Sequence, residues 1–131
     1  MGRSITSEKS FAFAIRIVKL YRFLCDEKRE YVLSKQLLRS GTSIGANVRE
    51  ALQAQGKRDF LSKINIGLKE ANESLYWIEL LYAAEYIDDK QKQSIHADCN
   101  EIISLLASTV KTTKKNLKAN PEEDRSGDSG K

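Results

Sequence analysis

The sequence predicts an all-α protein, an antiparallel up-down-up-down four-helix bundle. Apolar residues recur at three- and four-residue steps through four long segments, which is the spacing of one face of an α-helix. The stretches between these segments are too short for a connection that crosses the length of a bundle. Strand signals are absent, since the 131 residues contain no Asn-Gly or Asp-Gly hairpin and no sustained alternation of apolar and polar residues. We expect one bundle domain over residues 1–119.

Helix 1, predicted over residues 7–26, carries two apolar stripes on nearly opposite sides. We expect the first stripe to fill the core, and it consists of Phe11, Ile15, Val18 and Cys25. The second stripe consists of Phe13, Ile17, Leu20 and Leu24. One core needs an apolar arc of only about 100°. The second stripe therefore predicts contact with another subunit, through Phe13, Ile17 and Leu20.

Helix 2, predicted over residues 32–55, contains two glycines in its interior. The residues expected to face inward are Leu37, Gly41, Ile44, Val48 and Ala51. Each glycine costs about 1 kcal/mol against alanine inside a helix, so Gly41 and Gly45 indicate close approach of another helix. We expect Gly56 to end the helix as its C′ residue. We also expect Asn47 to form a hydrogen bond between helices, and the alternative is that it belongs to a partner-binding pocket.

Helix 3, predicted over residues 57–85, has the most regular apolar stripe of the chain. That stripe consists of Phe60, Ile64, Leu68, Ala71, Leu75, Ile78 and Tyr82. A second apolar side, with Ile66, Trp77 and Leu80, again predicts a subunit interface. Asp88 and Gln91 have the spacing of a capping box that begins helix 4, which continues to residue 119.

Composition limits what the rest of the chain can do. Residues 120–131 hold four acids, two bases and the only proline, and we expect a disordered polar tail. The two cysteines, Cys25 and Cys99, fall among apolar residues and are expected to be buried free thiols. No apolar run approaches the ~20 residues of a membrane span, so we expect a soluble, cytoplasmic protein that does not contact membranes.

The sequence argues against an enzyme. A di-metal carboxylate site in a helical bundle needs Glu-x-x-His on two helices. The single histidine, His96, has no glutamate three residues before it, and we interpret it as a surface residue. Without strands there is no strand-loop-helix phosphate loop. We expect no catalytic residue, no metal and no cofactor.

Positive charge collects at one predicted end of the bundle, where helix 2 ends, helix 3 begins and helix 4 ends. We predict that the bases there bind nucleic acid, RNA or DNA, and they are Arg49, Lys57, Arg58, Lys63, Lys111, Lys114, Lys115 and Lys118. Because no aromatic residue interleaves with them in the sequence, phosphate contacts without base stacking are expected. The alternative is that these charges only offset helix dipoles and keep the surface hydrated.

Two segments resemble a known family. Residues 39–50, with Ser43-Ile-Gly-Ala-Asn47, and residues 59–81, with Lys69-Glu-Ala-Asn-Glu73 and Tyr76-Trp77, resemble the four-helix-bundle proteins of the 23S rRNA intervening-sequence family. The resemblance covers residues 7–117. The family usually has a small residue before the glutamate and a glycine after it, where this chain has Arg49 and Ala51 around Glu50.

The resemblance implies a bacterial protein with an antiparallel bundle that assembles as a homopentamer. It also implies nucleic-acid binding, and a relationship to the accessory protein of diversity-generating retroelements, a basic pentameric barrel that binds a reverse transcriptase and nucleic acid. We therefore predict a non-enzymatic homo-oligomer with a basic nucleic-acid-binding end. The alternative is an oligomeric scaffold for a protein partner such as a reverse transcriptase.

Overall fold

The computed structural model describes residues 4–119, which form four α-helices: α1 (Ile5–Asp26), α2 (Leu33–Leu52), α3 (Lys57–Ala83) and α4 (Asp89–Ala119). The predicted all-α four-helix bundle is confirmed. Each helix packs against its neighbours along the chain, and α1 meets α4 to close the ring. No helix within residues 4–119 is long and apolar enough to cross a membrane. The predicted tail, residues 120–131, lies outside the described residues.

The two apolar stripes of α1 are exchanged relative to the prediction. Phe13, Ile17 and Leu24, assigned to the outer stripe, are at most 1% exposed and belong to the core. Phe11 and Ile15, assigned to the core, are 54% and 44% exposed. The prediction failed because the two stripes are similarly apolar, and only the packing of α1 against α2 distinguishes them.

The glycines of α2 set the orientation of α1. A Cβ atom on Gly41 would lie 2.8 Å from Cγ1 and 2.9 Å from Cγ2 of Ile17, so only glycine lets this side chain reach the α2 backbone. A Cβ on Gly45 would lie 3.4 Å from the Ser10 carbonyl oxygen, at the close limit of ordinary van der Waals contact. The predicted close approach of a neighbouring helix to these two glycines is confirmed, and the neighbour is α1.

Helix ends agree with the sequence at α4 and differ at α2. The Asp88 side chain accepts from the Gln91 backbone N–H at 2.8 Å, and the Gln91 side chain accepts from the Asp88 N–H at 2.9 Å. This reciprocal pair confirms the capping box. The prediction that Gly56 ends α2 is wrong, because α2 ends at Leu52 and Gly56 is the extended N-cap of α3, with φ of −141°.

Glu30 begins α2 with a carboxylate that the sequence did not single out. The residue is 7% exposed, and its side chain accepts from the backbone N–H groups of Val32 (3.1 Å), Leu33 (2.9 Å) and Ser34 (2.6 Å). Burial alone would raise the pKa of this carboxyl, but the three backbone donors together outweigh burial and lower it. The carboxylate therefore satisfies N–H groups that the first turn of a helix leaves without partners.

Small polar groups fill the remaining space between helices. The hydroxyls of Ser40 and Ser74 are 2.8 Å apart and join α2 to α3. Cys99 is buried, and burial followed by the charges of Glu79 and Asp98 raises the pKa of its thiol to about 12. Both cysteines are free thiols, as predicted, but Cys25 is only half-buried.

The prediction that Asn47 forms a hydrogen bond between helices is wrong. Its amide donates to the Ser43 carbonyl oxygen of its own helix at 2.9 Å. Its Cβ instead packs 3.8 Å from the position that a Cβ would take on Gly67 of α3. Asn47 therefore contacts the neighbouring helix by packing.

Candidate nucleic-acid interface

The last turns of α4 extend past the start of α1. Lys9 of α1 pairs with Glu101 of α4 at 3.0 Å, which aligns the two antiparallel helices. Helix α1 begins four residues before Lys9. The final dozen or so residues of α4 therefore continue for about 20 Å beyond the first residue of α1. The start of α3 accompanies this extension, and the two helices border an open cleft of about 500 Å³, lined in part by Lys57, Thr113 and Asn116.

Four of the predicted lysines form one stripe on this extension. At 3.6 residues per turn, Lys111, Lys114, Lys115 and Lys118 fall within an arc of about 100° and span about 10 Å along the axis. All four are exposed, while Thr113, on the opposite side, and Val110, beside the stripe, are buried. Within residues 4–119 no ion pair joins any of the four lysines to an acid. We call these four residues the lysine stripe.

The other four predicted bases are less uniform. Lys63 pairs with Glu50 across α2 and α3 at 3.2 Å. Arg49 is exposed, and its guanidinium carbon lies 5.7 Å from the centre of the Phe11 ring. Lys57 and Arg58 occupy the first turn of α3, beside the end of α4. Sequence reasoning missed the contact of Arg49 with Phe11, because the partners lie on different helices and only the fold brings them together.

Polar side-chain pairs connect adjacent helices at three of the four helix–helix interfaces, which we call seams. Arg16 pairs with Asp98 across α1 and α4, Arg39 with Glu70 across α2 and α3, and His96 with Glu79 across α3 and α4. Within residues 4–119 no ion pair joins α1 to α2. That seam holds a groove of about 410 Å³ along Phe11, Gly45 and Ala46, next to the exposed Ile15. We call this the α1–α2 groove.

The predicted subunit interface is only partly at the surface. Phe13 and Ile17 are buried in the protein's own core, so placing them at an interface was wrong. Leu20, Trp77 and Leu80 are half-buried, and Trp77 donates to the Glu73 carboxylate at 2.9 Å. Ile66 is 39% exposed. Phe11 and Ile15 were missed as surface residues because their stripe was assigned to the core.

His96 is less exposed than predicted. Its Nε2 lies 2.8 Å from the Glu79 carboxylate, and its Nδ1 lies 3.1 Å from the Asn100 amide. A neutral ring that donates from Nε2 and accepts at Nδ1 satisfies both contacts. In the described part of the chain, no group of three or more His, Cys, Asp or Glu side chains is arranged to hold a metal ion.

Comparison with known proteins supplies the family. The model of the 23S rRNA-intervening sequence protein family matches residues 3–108, a span that stops before the lysine stripe. The chain is similar to a protein with unknown function from the S23 ribosomal protein family of Bacteroides thetaiotaomicron VPI-5482, known from a 1.70 Å crystal structure. The two are 58% identical with a TM-score of 0.81, over 82% of this chain and 99% of that one. No curated protein matches. Because the family match spans well over half of the sequence, the chain belongs to the 23S rRNA-intervening sequence protein family.

Proposed function

We propose that this protein is a non-enzymatic homo-oligomer, a pentamer, whose basic end binds nucleic acid through phosphate contacts. The observation that carries the proposal is the lysine stripe, four exposed ammonium groups on one face of a helix that extends past α1. Phosphate binding by lysine releases counterions, so such a surface gains affinity at low salt without reading sequence. Arg49, Lys57, Arg58 and Lys63 belong to the same end and add to its positive potential.

The four-lysine variant tests this proposal. Changing Lys111, Lys114, Lys115 and Lys118 to Gln should weaken binding of fluorescein-labelled RNA and DNA at least tenfold at low salt. The slope of log affinity against log salt should fall by about one per lysine that contacts a phosphate. Fluorescence anisotropy at several salt concentrations measures both quantities.

The matched control removes the same charge elsewhere. Lys19, Lys35, Lys69 and Lys90 are exposed on four different helices, away from the last turns of α4. Changing them to Gln also lowers the net charge from +4 to zero. If the control weakens binding as much as the stripe variant, only net charge matters. If the unaltered protein binds no nucleic acid at low salt, the proposed function is wrong.

Self-association is supported by the exposed apolar residues of the α1–α2 groove. A closed ring needs two different surfaces on each subunit. Phe11 and Ile15 beside the groove offer one, and Ile66 with Tyr76 on α3 offers another, since Tyr76 is 57% exposed. Within residues 4–119 none of the large exposed hydrophobic side chains belongs to α4. An assembly through these surfaces therefore leaves the lysine stripe accessible.

Removing the apolar surface should dissociate the assembly. We expect Phe11→Ser with Ile15→Ser to raise the dissociation constant at least tenfold, because burying an apolar side chain is worth about 1.5–3 kcal/mol. Sedimentation velocity at micromolar concentration measures the change. Tyr31→Ser with Val32→Ser, two exposed residues before α2, is the control and should leave the assembly intact. An unaltered protein that sediments as a monomer would contradict self-association.

The second candidate, a scaffold for a protein partner such as a reverse transcriptase, is favoured by the same groove. A groove with an exposed aromatic ring and no ion pair across it in the described residues suits an apolar partner segment. The two functions separate by their dependence on salt. Nucleic-acid binding by lysines weakens steeply as salt rises, whereas an apolar contact does not.

A further inference from the structure

We infer that the ligand of the lysine stripe is double-helical nucleic acid, held by its phosphate backbone along the outward face of α4. This inference rests on the proposed function and specifies its ligand. It depends on three features of the described part of α4: the face that continues the stripe, the lack of acids on that face, and the absence of aromatic side chains on it.

The outward face of α4 continues beyond the lysine stripe toward the helix start. Ser104, Ala107 and Ser108 are exposed and lie in the same arc of about 120° as the four lysines. Residues 104–118 therefore form one face about 21 Å long, with small side chains in one half and ammonium groups in the other. Small side chains let a bulky backbone come close, and serine hydroxyls can donate to phosphate oxygens.

Nothing on this face repels phosphate. The last acid in the described part of α4 is Glu101, and it is paired with Lys9 at 3.0 Å. From residue 102 to residue 119 every charged side chain of the helix is a lysine. A rigid helix that carries charge along a straight line matches a polyanion that is itself rigid and densely charged, and double-stranded DNA carries one charge per about 1.7 Å of its axis.

Aromatic platforms for unpaired bases are lacking on this face. Proteins that hold single strands stack the bases on aromatic rings, each worth about 1–3 kcal/mol. Residues 104–118 contain no aromatic residue. Phe60 is half-buried and lines the cleft with Thr113 and Asn116, on the side of α4 opposite the lysine stripe. The exposed Phe11 borders the α1–α2 groove, where Arg49 contacts its ring. A single strand would therefore gain only the phosphate contacts, whereas a duplex offers more phosphates to the same face.

Two measurements test the inference. Anisotropy should show a 24-base-pair duplex bound at least tenfold more tightly than either of its separated strands, at equal salt. Duplex DNA and duplex RNA serve as separate arms, and tight binding of either one supports the inference. Equal or tighter binding of the single strands would overturn the inference, most clearly if Phe11→Leu weakened that binding. Phosphate binding by the protein would still stand.

The second measurement places acids on the small-residue half of the face. Ser104→Glu with Ser108→Glu should weaken duplex binding at least tenfold although all four lysines remain. The control, Gln36→Glu with Asn72→Glu, adds the same charge at exposed positions of α2 and α3 away from the basic end and should change binding less than threefold. Equal effects of the two variants would overturn the inference, because the duplex would then not lie along residues 104–118. If the unaltered protein binds no nucleic acid at all, the proposed function itself is wrong.

Discussion

A Gly41→Ala chain should have a free energy of unfolding up to about 2 kcal/mol lower than the native chain, because overpacking a core typically costs 1–3 kcal/mol. The added Cβ would lie 2.8 and 2.9 Å from two carbon atoms of Ile17, whose side chain is fully buried. A β-branched side chain has little rotamer freedom, so α1 and α2 must separate. The gain of about 1 kcal/mol in helix propensity offsets only part of this cost.

Gly67→Ala is the matched control and should have the opposite sign. Its Cβ would lie 3.7 Å from the Ile44 carbonyl oxygen and 3.8 Å from carbon atoms of Asn47 and Leu106, which are ordinary contacts. Helix propensity should then raise the free energy of unfolding by up to about 1 kcal/mol. Urea unfolding at one fixed protein concentration measures both variants, since the midpoint shifts while the slope stays constant.

An Ile17→Ala background isolates the contact. This change removes the two carbon atoms nearest the new Cβ and keeps only the Cβ of residue 17, at 3.3 Å, so adding Gly41→Ala to it should cost much less than in the native chain. The double-mutant cycle then reports the coupling between the two positions. If Gly41→Ala and Gly67→Ala shift the midpoint equally and in the same direction, α1 and α2 do not approach each other at Gly41.

The same contact explains how far the sequence could predict the fold. Four helices, their antiparallel order and the capping box of Asp88 and Gln91 follow from patterns within one segment, and all are present in the structure. The orientation of α1 does not follow from such a pattern, because both of its stripes are apolar. It is decided by which stripe fits the surface made by Gly41 and Gly45, and that surface exists only once α2 is formed.

The candidate site divides in a similar way. The lysine stripe could be found from the sequence because its members lie on one helix and are related by helical spacing. The α1–α2 groove could not, because it depends on the orientation of α1 and on the absence, in the described residues, of ion pairs across that seam. The prediction for Gly56 was wrong for another reason. Glycine is favoured just beyond the C-terminus of a helix and is also tolerated as an N-cap, and here Gly56 is the N-cap of α3.

Glu30→Gln should lower the free energy of unfolding by about 2 kcal/mol at pH 7, because hydrogen bonds to a charged group are worth about 1.5–3 kcal/mol each. The carboxylate accepts the backbone N–H groups of the N-cap Val32 and of the first two residues of α2, and its negative charge lies at the positive end of the helix dipole. An amide keeps one acceptor oxygen and loses the charge. Glu27→Gln, an exposed neighbour at the end of α1, is the control and should change stability by less than about 0.5 kcal/mol.

The dependence on pH separates this role from simple packing. The backbone donors hold the folded pKa of Glu30 below its ordinary value of 4.5. The unfolded chain therefore takes up the proton first as pH falls, so the carboxylate stabilises the fold fully above the unfolded pKa and loses this effect as pH falls through the folded pKa. The difference between the native chain and Glu30→Gln should be largest near neutral pH and shrink below about pH 4.5. Urea midpoints measured at pH 7 and at successive acid values test this, and a difference that stays constant with pH would show that the amide is disfavoured by shape rather than by the loss of charge.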